Sequence, residues 1–132
     1  MIMPYLTIAL SGNKGRGVFT TEAIAKDQII EISPVVVLSA KDRKHIEKTQ
    51  LFNYIFEWGK SRKKAAVALG YVSVYNHSYN SNCVYEMDFD DQTITIRTVR
   101  AIAKGEELSI NYNADPNDAT EVWFHHMIER QH

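Results

Sequence analysis

Three separated stretches of this 132-residue chain carry residue types that can do chemistry. The first is Gly12 with Gly15 and Gly17, where the absence of side chains lets backbone amides approach a ligand closely. No helix and no Lys-Ser/Thr pair follows, so it is not a nucleotide phosphate loop, and alone it reads first as a hairpin turn. The second is Asn76-His77-Ser78. Its amide both donates and accepts hydrogen bonds, and its imidazole adds a flat face. Alone it reads as an Asn/Ser turn with a surface histidine. No second His, Cys or carboxylate stands at ligand spacing around His77, which argues against a zinc site. His125-His126 reads as an exposed helix end. The third runs from Ala103 to Tyr112 and closes on a tyrosine whose hydroxyl needs a partner if enclosed.

The elements that must position these stretches are mostly short strands. Ser11 to Gly17 reads as a loop, and Val18-Phe19 resumes an apolar run. Ile29 to Ile32 and Val35 to Leu38 are expected to be two strand pieces joined by a bend at Ser33-Pro34. Asp42 is expected to open a helix with Ile46, Thr49 and Gln50 on one side. Leu51, Tyr54 and Ile55 stand at helical spacing, while Asn53 to Trp58 reads equally as a strand. Ala65 to Leu69 is expected to be a helix closed by Gly70. Val84 to Phe89 and Thr93 to Val99 flank Asp90-Asp91-Gln92 as a β-hairpin with alternating patterning. Lys104-Gly105 is a turn, after which Leu108 and Ile110 face one side and Ser109 and Asn111 the other. The class is mainly β with a few small helices.

Composition removes several functions. A hydrophobic fraction of 45% and a charged fraction of 23% are those of a globular domain. No apolar stretch approaches the length of a membrane span, and the N-terminus lacks the pattern of a secretory signal. The formal net charge of -1 argues against direct binding of nucleic acid through phosphates. Lys60 to Lys64 is the only dense basic run, and it reads as a solvated face. Ala66 to Tyr75 mimics a helix-turn-helix, but the loop-forming Asn76 to Asn82 follows where a recognition helix should continue. The single cysteine, Cys83, permits neither an intramolecular disulfide nor a cysteine zinc cluster, and it suits a reducing, cytoplasmic setting.

Taken together and in this order, the three stretches resemble the SET domain of protein lysine methyltransferases. Gly15-Arg16-Gly17-Val18-Phe19 is similar to that family's glycine-rich motif. Asn76, His77, Ser78 and Asn82 match its Asn-His-Ser-Cys-x-Pro-Asn signature, with Tyr79 in place of the Cys and Ser81 in place of the Pro. Gly105-Glu106-Glu107-Leu108 through Tyr112 matches Gly-Glu-Glu-Leu-x-x-x-Tyr, with Asn111 where Asp is commoner. The resemblance spans about residues 12–112 of a single domain covering 1–132. Small viral and bacterial SET proteins are similar in length and carry an aromatic pair such as Tyr54-x-Phe56 before the Asn-His-Ser knot.

The resemblance implies a fold of short twisted sheets with a C-terminal pseudoknot, in which the segment holding the knot forms a loop threaded by the C-terminal part. It implies S-adenosylmethionine as the cofactor, held by Lys14, Gly15, Arg16 and Gly17 at its methionine part and by Asn76 and His77 at its amino end and adenine. It implies Tyr112 as the catalytic tyrosine beside the methyl group and Tyr54 as the second wall of a lysine channel. The expected substrate is a protein with an exposed lysine, histone-like or otherwise basic, and a homodimer is compatible with the family. A rival reading, a SET-fold binding module without catalysis, is disfavoured by the presence of Tyr112, Asn76 and His77. Residues 113–132 have no cysteine for a zinc-binding closing segment; Trp123 or Phe124 is expected either to cover the adenine or simply to dock on the domain. The family's second channel aromatic falls near Pro116, which leaves the number of methyl groups open.

Overall fold

The computed structural model describes residues 1–12 and 14–112. Among them, two sheets carry the fold. Strands β1 (Leu6–Leu10) and β2 (Arg16–Thr20) form an antiparallel hairpin across the glycine turn, with Leu6 opposite Thr20 and Leu10 opposite Arg16. Gly12 and Gly15 adopt positive φ there, of 53° and 78°, which side chains strongly disfavour. Strand β2 begins at Arg16, so the loop is shorter than Ser11 to Gly17.

Strand β3 (Ile29–Leu38) is a correction to the two expected pieces: it is one ten-residue strand running through Ser33-Pro34. The proline is tolerated because the strand changes partners there. Residues Ile29 to Pro34 pair with β8 (Thr93–Thr98), and Val35 to Leu38 pair with β5 (Lys64–Ala68). The missing N–H of Pro34 thus falls where the hydrogen bonding switches. An irregularity between Ile29 and Glu31 turns both Ile30 and Glu31 inward, and both are fully buried.

The helix expected over Ala65 to Leu69 is a second correction, since Lys64 to Ala68 forms strand β5. It lies between β4 (Ile55–Trp58) and β3, paired antiparallel to each. Alanine's helical preference is a few tenths of a kcal/mol per residue, which two-sided pairing overrides. Burial of Ala65 and Ala66 also lets these small side chains fill tight space. A strand in this place removes the helix-turn-helix mimic altogether. Helix α1 (Ala40–Ile46) opens earlier than Asp42, because the Ser39 hydroxyl caps it by accepting from Asp42 N–H at 3.1 Å. Thr49 caps a short 3₁₀ segment over Gln50–Tyr54, and β4 starts at Ile55, so the ambiguous stretch is helical first and extended second.

The hairpin of β7 (Cys83–Asp88) and β8 forms as its alternation requires, with Ile94, Ile96 and Thr98 turned inward. These strands complete a sheet ordered β4-β5-β3-β8-β7. The other sheet is closed by β6 (Asn76–His77) and β9 (Glu107–Ile110), in the order β1-β2-β9-β6. Leu108 and Ile110 point into the core and are fully buried. The basic run Lys60 to Lys64 is exposed on the β4–β5 turn.

Candidate active site

Strand β9 brings the three motif stretches together. It pairs antiparallel with β2, Val18 facing Leu108, and parallel with β6, Asn76 facing Ser109 and His77 facing Ile110. The glycine-rich hairpin and the Asn-His-Ser knot are therefore its immediate neighbours. The knot is extended backbone here and not merely an Asn/Ser turn.

At the N-terminal end of β9, Glu107 organises a polar cluster. Its carboxylate accepts from Ser11 Oγ at 2.5 Å and from Asn76 Nδ2 at 2.7 Å. The same Asn76 amino group also donates to the Arg16 carbonyl at 3.2 Å. What Asn76 can offer a ligand is therefore its carbonyl oxygen, an acceptor suited to an ammonium group. A Cβ on Gly17 would run into Glu107 Oε2 and stand 2.9 Å from Asn76 Nδ2, so the close approach requires glycine. Gly17 is buried, whereas Lys14 and Arg16 are exposed at the rim. The donor set fits the methionine end of S-adenosylmethionine: acceptors for its ammonium, with backbone amides and two cations for its carboxylate. Glu107 was not among the residues expected to hold the cofactor, although it stands inside a recognised motif.

Asn82 is a second residue whose role the motif match left unassigned. It is 2% exposed. Its amide donates to Glu106 Oε2 at 3.0 Å and to the Glu107 carbonyl at 2.9 Å, and its Oδ1 accepts from Ser109 N–H at 2.8 Å. One side chain thereby holds the Gly-Glu-Glu-Leu turn against the knot.

At the other end of β9, Tyr112 is tied down on several sides. Its hydroxyl donates to the Tyr75 carbonyl at 2.7 Å, its N–H donates to His77 Nδ1 at 3.1 Å, and its carbonyl accepts from the Tyr85 hydroxyl at 2.8 Å. The His77 ring lies 5.0 Å from the Tyr112 ring and 4.3 Å from that of Tyr79. His77 is thus engaged with Tyr112 through its side chain. Burial raises the Tyr112 hydroxyl well above the ordinary phenol range, with Tyr85 and Tyr54 adding to the effect. Burial likewise pushes Tyr85 up to about 12. Both phenols stay protonated at neutral pH and act as oriented hydroxyls, not as bases.

Tyr54 and Tyr112, singled out 58 positions apart in sequence, line one narrow cleft together with Asn53, Ile55, Phe56 and Ser73. Phe56 braces it, its ring 5.4 Å from that of Tyr85 and 6.4 Å from that of Tyr112. Ser73 Oγ donates to the Tyr54 carbonyl at 2.8 Å and fixes that wall. Behind Tyr112, the Tyr75 hydroxyl donates to the buried Glu31 carboxyl at 3.1 Å, and Tyr71 N–H donates to the same group at 2.7 Å. Trp123, Phe124 and the neighbourhood of Pro116 lie outside the described residues, as does the threading of the chain beyond Tyr112.

The sequence model of the SET domain matches residues 15–113, the span that contains every element of this arrangement from β2 to Tyr112. The chain belongs to the SET domain family. Over 108 residues this SET domain is 38% identical to a Schizosaccharomyces pombe protein named histone-lysine N-methyltransferase, H3 lysine-37 specific, covering 81% of this chain and 72% of that protein. Its fold is similar to the crystal structure of a Plasmodium falciparum candidate histone methyltransferase, with a TM-score of 0.64 and 27% identity over 84% of this chain and 95% of the other. By this kinship the SET domain is an enzyme of the protein-lysine methyltransferase class.

Proposed function

We propose that this protein transfers a methyl group from S-adenosylmethionine to the side-chain amine of a lysine in a histone-like or other basic protein. The observation that carries this reading is the path of β9. It joins the Ser11, Gly17, Asn76 and Glu107 cluster at one end to the Tyr54 and Tyr112 cleft at the other. A cofactor at the first and an amine in the second would meet beside Tyr112.

When bound, S-adenosylmethionine supplies an electrophilic methyl group on a sulfonium cation. The acceptor must be a neutral amine, yet with a pKa of about 10.4 only roughly one lysine in a thousand is neutral near physiological pH. Ile55, Phe56 and the tyrosine rings line the cleft, and desolvation of an amine against them would lower its pKa, as would any nearby positive charge. The Tyr112 hydroxyl donates its proton to the Tyr75 carbonyl, which orients its oxygen, and a hydroxyl oxygen can accept from an amine or from methyl C–H groups. Asn76, Glu107 and the backbone from Lys14 to Gly17 would hold the amino-acid end of the cofactor. Fixed alignment of donor and acceptor then supplies much of the rate.

The testing experiment is incubation with labelled S-adenosylmethionine and a panel of basic proteins that includes histone H3, followed by mapping of the modified residue. Label on a lysine supports the reading. Absence of label together with retained binding of the demethylated cofactor would favour the non-catalytic binding module.

A further inference from the structure

The cleft between Tyr54 and Tyr112 contains an acceptor that its own surroundings leave unused. Asn53 stands in the 3₁₀ segment before Tyr54, and its Oδ1 is buried without a hydrogen-bond partner. The two hydroxyls beside it that have settled bonds point elsewhere, Ser73 to the Tyr54 carbonyl and Tyr112 to the Tyr75 carbonyl. A buried carbonyl left unpaired costs free energy, and such groups in native proteins call for an explanation, a functional role among them. A ligand bringing an N–H or O–H donor into this slot would complete it.

We propose, resting on the methyltransferase reading above, that Asn53 Oδ1 accepts an N–H of the substrate lysine's amine and thereby limits the enzyme to two methyl groups. A neutral primary amine has one lone pair and two hydrogens. With the lone pair aimed at the methyl carbon, one N–H points to Asn53. The amine's lone pair forms the new N–C bond as the donor's S–C bond breaks, and the surplus proton on nitrogen leaves to water. A monomethylated amine still has one N–H for Asn53, so a second transfer proceeds. A neutral dimethylated amine has none. It would press a methyl group against the amide oxygen and leave that acceptor buried and unpaired, so a third transfer is disfavoured.

The assignment is tested on the lysine peptide labelled in the panel experiment, supplied unmodified, monomethylated and dimethylated, with products read by mass spectrometry. Wild type is expected to stop at dimethyl-lysine. Asn53→Ala removes the acceptor and opens space, so trimethyl-lysine should form, with kcat/KM for dimethylated over unmodified peptide rising at least tenfold. A merely structural Asn53 would lower all three substrates alike. Asn53→Asp keeps an acceptor but adds charge that favours the ammonium form, so it should retain the dimethyl limit and move the pH profile of kcat/KM upward by about one unit. If Asn53→Ala does not fold, the pH shift of Asn53→Asp decides. Trimethylation by wild type, an unchanged substrate ratio in a folded Asn53→Ala, or an unshifted Asn53→Asp profile overturns the assignment while leaving methyl transfer intact. A wild-type chain that labels no protein overturns the methyltransferase reading and this assignment with it.

Discussion

The backbone N–H of Tyr112 donates to Nδ1 of His77 at 3.1 Å, so the imidazole is held with its acceptor nitrogen toward the tyrosine that ends β9. The two residues come from different motifs, 35 positions apart, and the parallel pairing of β6 with β9 brings them into register. His77→Ala would leave this N–H without its acceptor and remove the ring that packs against Tyr112. A loss of about 1–3 kcal/mol is expected for the stranded donor, measurable by urea unfolding. Calorimetry with the demethylated cofactor should show affinity weakened at least tenfold, because the ring that holds Tyr112 beside the knot is gone.

Tyr112→Phe should behave differently. It removes one hydroxyl and its bond to the Tyr75 carbonyl while keeping the ring's contacts with Phe56 and His77. The stability change should stay near 1 kcal/mol. Turnover should fall by two orders of magnitude or more with little change in KM, the pattern expected when an interaction specific to the transition state is lost. Wild-type kcat in this variant would reassign Tyr112 to packing.

Asn82→Ala is expected to be among the most damaging polar substitutions in the domain. It strands the Ser109 N–H and releases both the Glu106 carboxylate and the Glu107 carbonyl. A loss of about 2–3 kcal/mol in unfolding free energy follows from leaving buried groups unsatisfied. Asn82→Asp should not rescue it. The new carboxylate would face that of Glu106, and the two bonds donated by the amide would be gone.

Glu31 yields a pH signature with a defined sign. Burial raises its carboxyl above the ordinary value of 4.5, against the opposing bonds from Tyr71 N–H and the Tyr75 hydroxyl. The folded state therefore holds the proton more tightly than the unfolded chain. Its contribution to stability is fully present below about pH 4.5 and is lost as pH rises through the raised value. Glu31→Gln removes this dependence. The stability of the variant relative to wild type should climb as pH is raised from 4 to 7, followed by urea unfolding at each pH. A pH-independent difference would show that the carboxyl is not perturbed.

What the sequence by itself determined is the set of local devices. Alternating apolar residues around Asp90-Asp91-Gln92 determine the β7–β8 hairpin, glycines mark the β1–β2 turn, and the Lys104-Gly105 turn precedes a strand whose Leu108 and Ile110 must face inward. The order of the glycine, Asn-His-Ser and Glu-Glu-Leu-Tyr stretches was enough to point to the family, because each is a short contiguous pattern. The tertiary structure alone decided features that depend on distant partners. Lys64 to Ala68 has helical composition but becomes a strand because β3 and β4 flank it on both sides. Pro34, which reads locally as a break, lies within one strand because the partner changes at that residue. Asn82 and Glu107 stand inside motifs, but the motifs carry no local sign of the partners they bond. Asn82 meets Glu107 across 25 positions and Ser11 meets Glu107 across 96, and a hydrogen bond between such residues exists only once both sheets have closed around the core.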